Sequence, residues 1–239
     1  MSADSGRAGR AAALSTSAGR ARPGVPPAPR VPEPDVARHL VPAPSGDLAG
    51  VTLTGVDLTG AGLVGAELDE VQVEASALDR LRAAGGRWVR TALADCRVDS
   101  ADLANLHAED LSLLRCSLRD ARLVGAQLPG ARLRGVRLDG ARASLTSWRG
   151  ASWQHVVLHG ADLTEADLTG ATLTDVLLQD CDLTGAQLTQ VRCERVRLSG
   201  CRLTGIAGVR SLRGTSVAES DAYQLLPLLA RDAGITIAG

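Results

Sequence analysis

Residues 161–170 read Ala161-Asp162-Leu163-Thr164-Glu165-Ala166-Asp167-Leu168-Thr169-Gly170: two five-residue units, each with a small residue, a carboxylate and a central Leu. Stepping by five in both directions from Leu163 keeps one register from Leu48 to Gly208 with no slip. Of its 33 positions, 23 are Leu, and Val73, Val98, Trp88, Trp148 and Trp153 are also large and apolar. The exceptions are Ala83, Ala108, Ala143, Cys193 and Gly208. The column two residues earlier is small. Ala fills 12 of its places, such as Ala61, Ala121, Ala161 and Ala171, and Cys96, Cys116, Cys181 and Cys201 fill four more. Two residues after the Leu stands Gly at 15 places, Gly55, Gly60, Gly130 and Gly170 among them, and the other two columns are polar.

A period of five fits neither the 3.6 residues of a helical turn nor an uninterrupted strand. On an extended chain, residues two apart share a side, so the small and the large column face one interior. A corner every fifth residue, eased by Gly at positive φ, then turns the chain. The result is a coil that stacks on itself. Volumes within the two inward columns compensate, as close packing in a narrow tube requires: Ala83 and Ala108 are preceded by Leu81 and Leu106, and Trp88 by Gly86. Leu111 beside Leu113 breaks that rule.

Units such as Ala161–Glu165 and Ala166–Gly170 closely resemble the A(D/N)LXX consensus of pentapeptide-repeat proteins, and the resemblance covers about residues 46–208. It implies an all-β solenoid, a right-handed quadrilateral β-helix with four units per coil and about eight coils. At the strand spacing such a tube is ~40 Å long. The departures at Ser76–Arg90 predict a distorted or bulged coil there.

The chain divides into three parts: a Pro/Arg/Ala-rich tail over 1–44, the repeat over 45–210 and a cap over 211–239. Eight of the ten prolines precede residue 45, which predicts a tail that stays extended or disordered. In the last part Ala222, Leu225, Leu226, Leu229 and Ala233 follow helical spacing, with Ser220 as N-cap and Gly234 as C′ residue. Pro227 predicts a kink or a split into two short helices, and Ile235 and Ile237 are placed to close the last coil. In several family members the C-terminal helix also makes a two-fold contact, so the resemblance allows a homodimer through Leu225, Leu226 and Leu229, or a cap alone.

Chemistry is sparse. The chain has no Lys, and with no paired spacing its five Cys do not form a disulfide framework. All five fall on inward columns, as small hydrophobes rather than metal ligands. Gly60-Ala61-Gly62-Leu63-Val64-Gly65 matches GxGxxG, but Gly60 and Gly65 are successive corners, without the strand-then-helix context of a nucleotide site. His107, His155 and His159 lie on outward columns and His39 in the tail; His155 and His159 flank one corner with no carboxylate at defined spacing. No nucleophile, acid and base assemble, so neither an enzyme nor any metal or other cofactor is expected. The first residues hold no apolar run longer than Ala11–Leu14, which predicts no secretory leader, and no window suits a membrane span; the cytoplasm is the expected compartment.

Surface charge remains. Topoisomerase-directed members of the family are acidic tubes resembling duplex DNA, and that precedent can be tested by charge density. Residues 46–208 hold 21 acids and 17 Arg, a net of −4. Duplex DNA of ~40 Å carries roughly 23 charges. Mimicry along the whole tube therefore fails, and no direct contact with nucleic acid is expected. A local acidic band, Asp162, Glu165, Asp167, Asp175, Asp180 and Asp182, lies in a stretch without Arg between Arg149 and Arg192. Just before it come Arg115, Arg119, Arg122, Arg132, Arg134, Arg137, Arg142 and Arg149, facing only Asp120 and Asp139. Two readings follow: a non-catalytic scaffold docking a protein partner, or a binder of DNA gyrase acting through the acidic band.

Overall fold

The computed structural model describes residues 25–42 and 48–237. From Leu48 the chain winds a square tube in which the paired residues from Thr52 to Gln187 meet the residue twenty positions on, always in parallel: Leu53↔Val73, Val73↔Leu93 and so on to Leu173↔Cys193. The twenty-residue turn is four units of five, so the outside has four faces. Face A is centred on Leu53, Val73 and their successors, face B on Leu58 and Leu78, face C on Leu63 and Ala83, face D on Leu68 and Trp88. Faces A, B and D carry short strands such as Arg132–Arg134, Arg197–Ser199 and Arg87–Val89. Face C is joined by single bridges, Gly62↔Arg82 through Asp182↔Arg202. The strands Ser152–His159 and Thr172–Gln179 pass around the corner from A to B. The tube makes about eight turns.

The inward columns form one continuous buried core from Leu53 to Val209. Corners obey a stricter rule than the glycines suggest. Every fifth residue from Gly50 to Gly205 has φ between 48° and 71°, and 17 of these are not Gly, including Leu145, His155 and Arg195. Many corners close with an amide bonded three residues back, such as Ala61 N to Leu58 O at 3.0 Å. The positive φ follows from that turn, with or without Gly to ease it.

Two expectations about the core are corrected. Residues 76–90 form no bulge: Arg82 N reaches Ala61 O at 2.9 Å and Arg87 N reaches Ala66 O at 2.9 Å, in register. Leu81 and Ala83 are both fully buried, so volume exchange inside the pentapeptide absorbs the departure. Compensation also runs around a whole turn. Ala141 and Ala143, both small, share a turn with Trp148 and Trp153, whose rings meet edge to face at 5.2 Å. Leu111 and Leu113 share theirs with buried Ala101 and Ala108.

The regular repeat ends at Gly208. A side chain there would meet the backbone of Thr189 at 2.5 Å. A 3-10 turn, Val209–Leu212, follows, and the last strand, Ser216–Val217, pairs with Arg197 and Leu198 one residue short of the twenty-residue register. Two short helices then close the tube, α1 (Glu219–Ala222) and α2 (Leu226–Asp232), separated by a 3-10 turn. Pro227 sits in the first turn of α2, where its missing N–H costs nothing, so the split occurs and the kink does not. The N-cap position is Ala218, not Ser220, whose hydroxyl instead donates to the neighbouring Asp221. Gly234 has the positive φ of a C′ residue. Ile235 and Ile237 are exposed and do not close the coil, since α2 ends at Asp232 held on Arg210 and the residues after it meet water.

Residues 25–42 are extended and lie against the tube; the rest of the tail expected to be extended or disordered, 1–24 and 43–44, lies with 45–47 outside the described residues. The segment runs along the tube antiparallel to the direction of winding. Arg197 donates to Pro26 O at 3.1 Å and Arg119 to the Glu33 carboxylate at 2.6 Å. Ala37 N reaches Ala75 O at 2.8 Å and Val41 N reaches Gly55 O at 2.9 Å, and Val41–Pro42 pairs with Val56–Asp57.

Candidate interaction surfaces

The six carboxylates of the acidic band do not share a face. Asp162 and Asp182 stack one coil apart on face C. Asp180 stands at the corner entering that face and Glu165 at the corner leaving it, while Asp175 occupies the corner between A and B. Asp167 belongs to face D. The twenty-residue turn thus spreads around the tube what the sequence places together.

The aspartates are also engaged. Asp162, Asp167 and Asp182 accept the amides of Thr164, Thr169 and Thr184 at 2.8–2.9 Å, an Asx turn that braces the following corner. Asp167 takes Arg149 at 2.8 Å and Asp182 takes Arg202 at 2.8 Å. Asp175 accepts Arg195 at 2.8 Å, and Asp180 lies 3.5 Å from His159 Nε2. Arg195 holds the Asp175 carboxyl below the usual carboxylate range. At Asp182 burial pushes upward, and the Thr184 hydroxyl and amide with Arg202 outweigh it, so that this carboxyl too is lowered. Asp180 and Asp182 line an open cleft of about 510 Å³ beside the cap, with Arg202, Ser220, Asp221 and Gln224.

The basic stretch is similarly dispersed. Arg122 pairs with Asp102 at 3.2 Å, Arg137 with Asp139 at 3.2 Å and Arg115 with Asp95. Most of these ion pairs staple adjacent coils. Arg134 and Arg142 have no carboxylate within ion-pair distance among the described residues. His155 and His159 do not meet. Each turns to a carboxylate of the next coil, Asp175 and Asp180, at 3.5 Å. Among the described residues no three His, Cys, Asp or Glu side chains are grouped to hold a metal. Cys96 and Cys116, and Cys181 and Cys201, stack one coil apart inside the tube. The Cys201 thiol and burial push the Cys181 thiol up. Cys193 is only half-buried.

These features identify the family. Eight copies of the sequence pattern described as pentapeptide repeats match residues 96–135, 137–175 and 166–205. The chain belongs to the pentapeptide-repeat family. A comparison with curated proteins finds no match. Solved pentapeptide-repeat structures are similar. HetL of Nostoc sp. strain PCC 7120, described as involved in heterocyst differentiation regulation, is 24% identical over 71% of this chain and 88% of its own, with a TM-score of 0.28. QnrB1, described as a plasmid-mediated fluoroquinolone resistance protein, is 18% identical over 81% of this chain and 100% of its own, TM-score 0.31. A pentapeptide repeat protein of the Arabidopsis thaliana thylakoid lumen is 20% identical over 64% and 77%, TM-score 0.24. At such scores the likenesses add nothing to the fold that the ladder already defines.

Like any solenoid, this pentapeptide-repeat tube must satisfy its last edge. Two residues that sequence reasoning missed do so. Buried Asp221 accepts Cys201 N at 2.8 Å, and Gln224 accepts Leu203 N at 2.8 Å while donating to Cys201 O at 3.0 Å. Side chains of the cap thereby replace the backbone of a missing coil on face C. Leu225 is buried with the core and is withdrawn from the expected dimer contact, because α1 folds it back onto the tube. Leu226 and Leu229 remain exposed, together with Tyr223. Among the described residues no helix is long and apolar enough to cross a membrane.

Proposed function

We propose that this pentapeptide-repeat protein is a non-catalytic scaffold, acting in the cytoplasm, whose rigid outer faces dock a protein partner. One observation carries the reading: the outward side chains repeat on a fixed lattice of twenty residues, and ion pairs such as Arg202–Asp182 and Arg149–Asp167 hold their geometry from coil to coil. A surface prearranged in this way loses little side-chain entropy on binding. Its mixed charge suits a protein rather than a nucleic acid. Self-association through Tyr223, Leu226 and Leu229 is a component of the same reading.

The stacking of Asp162 on Asp182 favours a second reading, a contact with DNA gyrase. A supercoiling assay with gyrase from the same host, run with and without a fluoroquinolone, separates the two. The scaffold reading expects neither inhibition nor drug protection at low micromolar protein. Either effect, abolished by Asp162→Arg with Asp182→Arg in a folded chain, would replace it with the gyrase reading.

A further inference from the structure

Face B differs from the other faces in its outward column. The residues just before its central Leu include Ala77, Ser117, Val157 and Leu177, which are 1%, 0%, 6% and 9% exposed although they point out of the tube. Segment 25–42 lies over them. Its anchors at Arg197 and Arg119 are four coil steps apart, ~19 Å at the strand spacing. The seven residue steps from Pro26 to Glu33 span ~22 Å as a polyproline II helix. Val157 and Leu177 fall between the anchors, and the apolar residues that the segment brings are Val25, Pro26, Pro29 and Val31, all half-buried. The floor is apolar and small, and the donors are guanidinium groups. Arg197 reads a backbone carbonyl and Arg119 forks both oxygens of Glu33 at 2.6 Å. Such a combination recognises a chain with few N–H groups of its own to satisfy, preset in an extended form, and bearing one acid.

We propose that face B is a docking groove for an extended, proline-rich peptide carrying a carboxylate, and that residues 25–42 are its built-in occupant, so that a partner gains the groove by displacing this strap. The partner half of the proposal rests on the scaffold reading; the seating of the strap does not. An intramolecular occupant competes at an effective concentration of about millimolar. A free peptide therefore binds the groove only when the strap is weakened.

The test uses the full chain and a fluorescein-labelled synthetic peptide of residues 25–42. In the wild type, trypsin should cut at Arg30 and Arg38 far more slowly than in that free peptide, and labelled peptide should show no anisotropy change at ~100 µM protein. Glu33→Arg in the chain should speed both cuts and admit the wild-type peptide; Glu33→Arg combined with Arg119→Glu should restore protection. A peptide carrying Glu33→Ala should bind the loosened chain about tenfold more weakly, a comparison in which the protein and its folding are unchanged. Leu177→Arg added to the loosened chain, with its thermal melt retained, should abolish peptide binding. Cutting at Arg30 and Arg38 as fast in the wild-type chain as in the free peptide would overturn the proposal, as would peptide binding indifferent to Leu177→Arg. Protection lost on dilution, with a dimer at high concentration, would give the groove to a second copy's strap and overturn the intramolecular seat. A failed gyrase assay bears on none of these outcomes.

Discussion

Faces B and C share one backbone, one inward Leu column and one set of corners, yet their outward columns have little in common. On face C the residues before the central position are Arg82, Asp102, Arg122, Arg142, Asp162, Asp182 and Arg202, half-buried or exposed. On face B the same column carries Ala77, Ser117, Val157 and Leu177, all buried, between Arg97, Arg137 and Arg197. The ladder fixes where each side chain points, and what lies against the face selects its chemistry. Charge is retained where water is the neighbour, and small or apolar residues stand where another segment of the chain is.

The comparison breaks first at the interior, where the two faces should behave alike. Leu158→Asp on face B and Leu163→Asp on face C each bury a carboxylate in the core and should each cost about 5 kcal/mol or more, seen as loss of the folded far-UV circular dichroism signal. A folded variant of either kind would refute the inward assignment. The outward columns should separate the faces. Val157→Asp places a charge beneath the strap and should cost about 2 kcal/mol. Asp162→Val loses only an Asx turn and should cost less than about 1 kcal/mol, both measured as shifts of the urea midpoint at unchanged slope. Equal costs would mean that face B is as open as face C.

Corners should be indifferent to the face they join. Leu145 is exposed, with φ 59°, in a conformation that a branched side chain tolerates poorly. Leu145→Gly should raise stability by up to about 1 kcal/mol, after the added entropy of the unfolded chain is offset. A loss of stability would place the corner's conformational demand elsewhere. The smallest effect is that of pH. Asp167, Asp175 and Asp182 have folded values below the ordinary carboxylate pKa. Their contribution is present above the unfolded pKa of about 3.9 and lost as pH falls through the lower folded values. The melting temperature should be level from about pH 7 to 5 and decline below about 4; a melting temperature that does not change on acidification below pH 4 would show that these carboxyls contribute nothing to stability.

The Leu column and the GxGxxG at Gly60–Gly65 were legible because a tube with a two-residue alternation and a fixed corner leaves few alternatives. Corner conformations at Glu70, Arg90 or Leu145 were not, since nothing in those residue types announces a positive φ; only the period does. The acidic band misled for a related reason. Proximity along the chain becomes dispersion around four faces once the turn is twenty residues long. Asp221 and Gln224 were hidden because their role depends on where the last coil ends, which a one-residue slip after Gly208 decides. Val157 and Leu177 did leave a signal, two apolar residues on an outward column twenty apart, visible only after the turn length is known.

The covering of face B can be observed directly by methyl nuclear Overhauser spectroscopy of the full chain, with Val and Leu methyls labelled. Cross-peaks from Val157 and Leu177 to the protons of residues 25–33 are expected, with none from Leu145, which stands exposed at a corner of the opposite side. Val157 and Leu177 methyls that show cross-peaks only within the tube, and that are broadened by a paramagnetic agent in solvent as strongly as those of Leu145, would contradict the account.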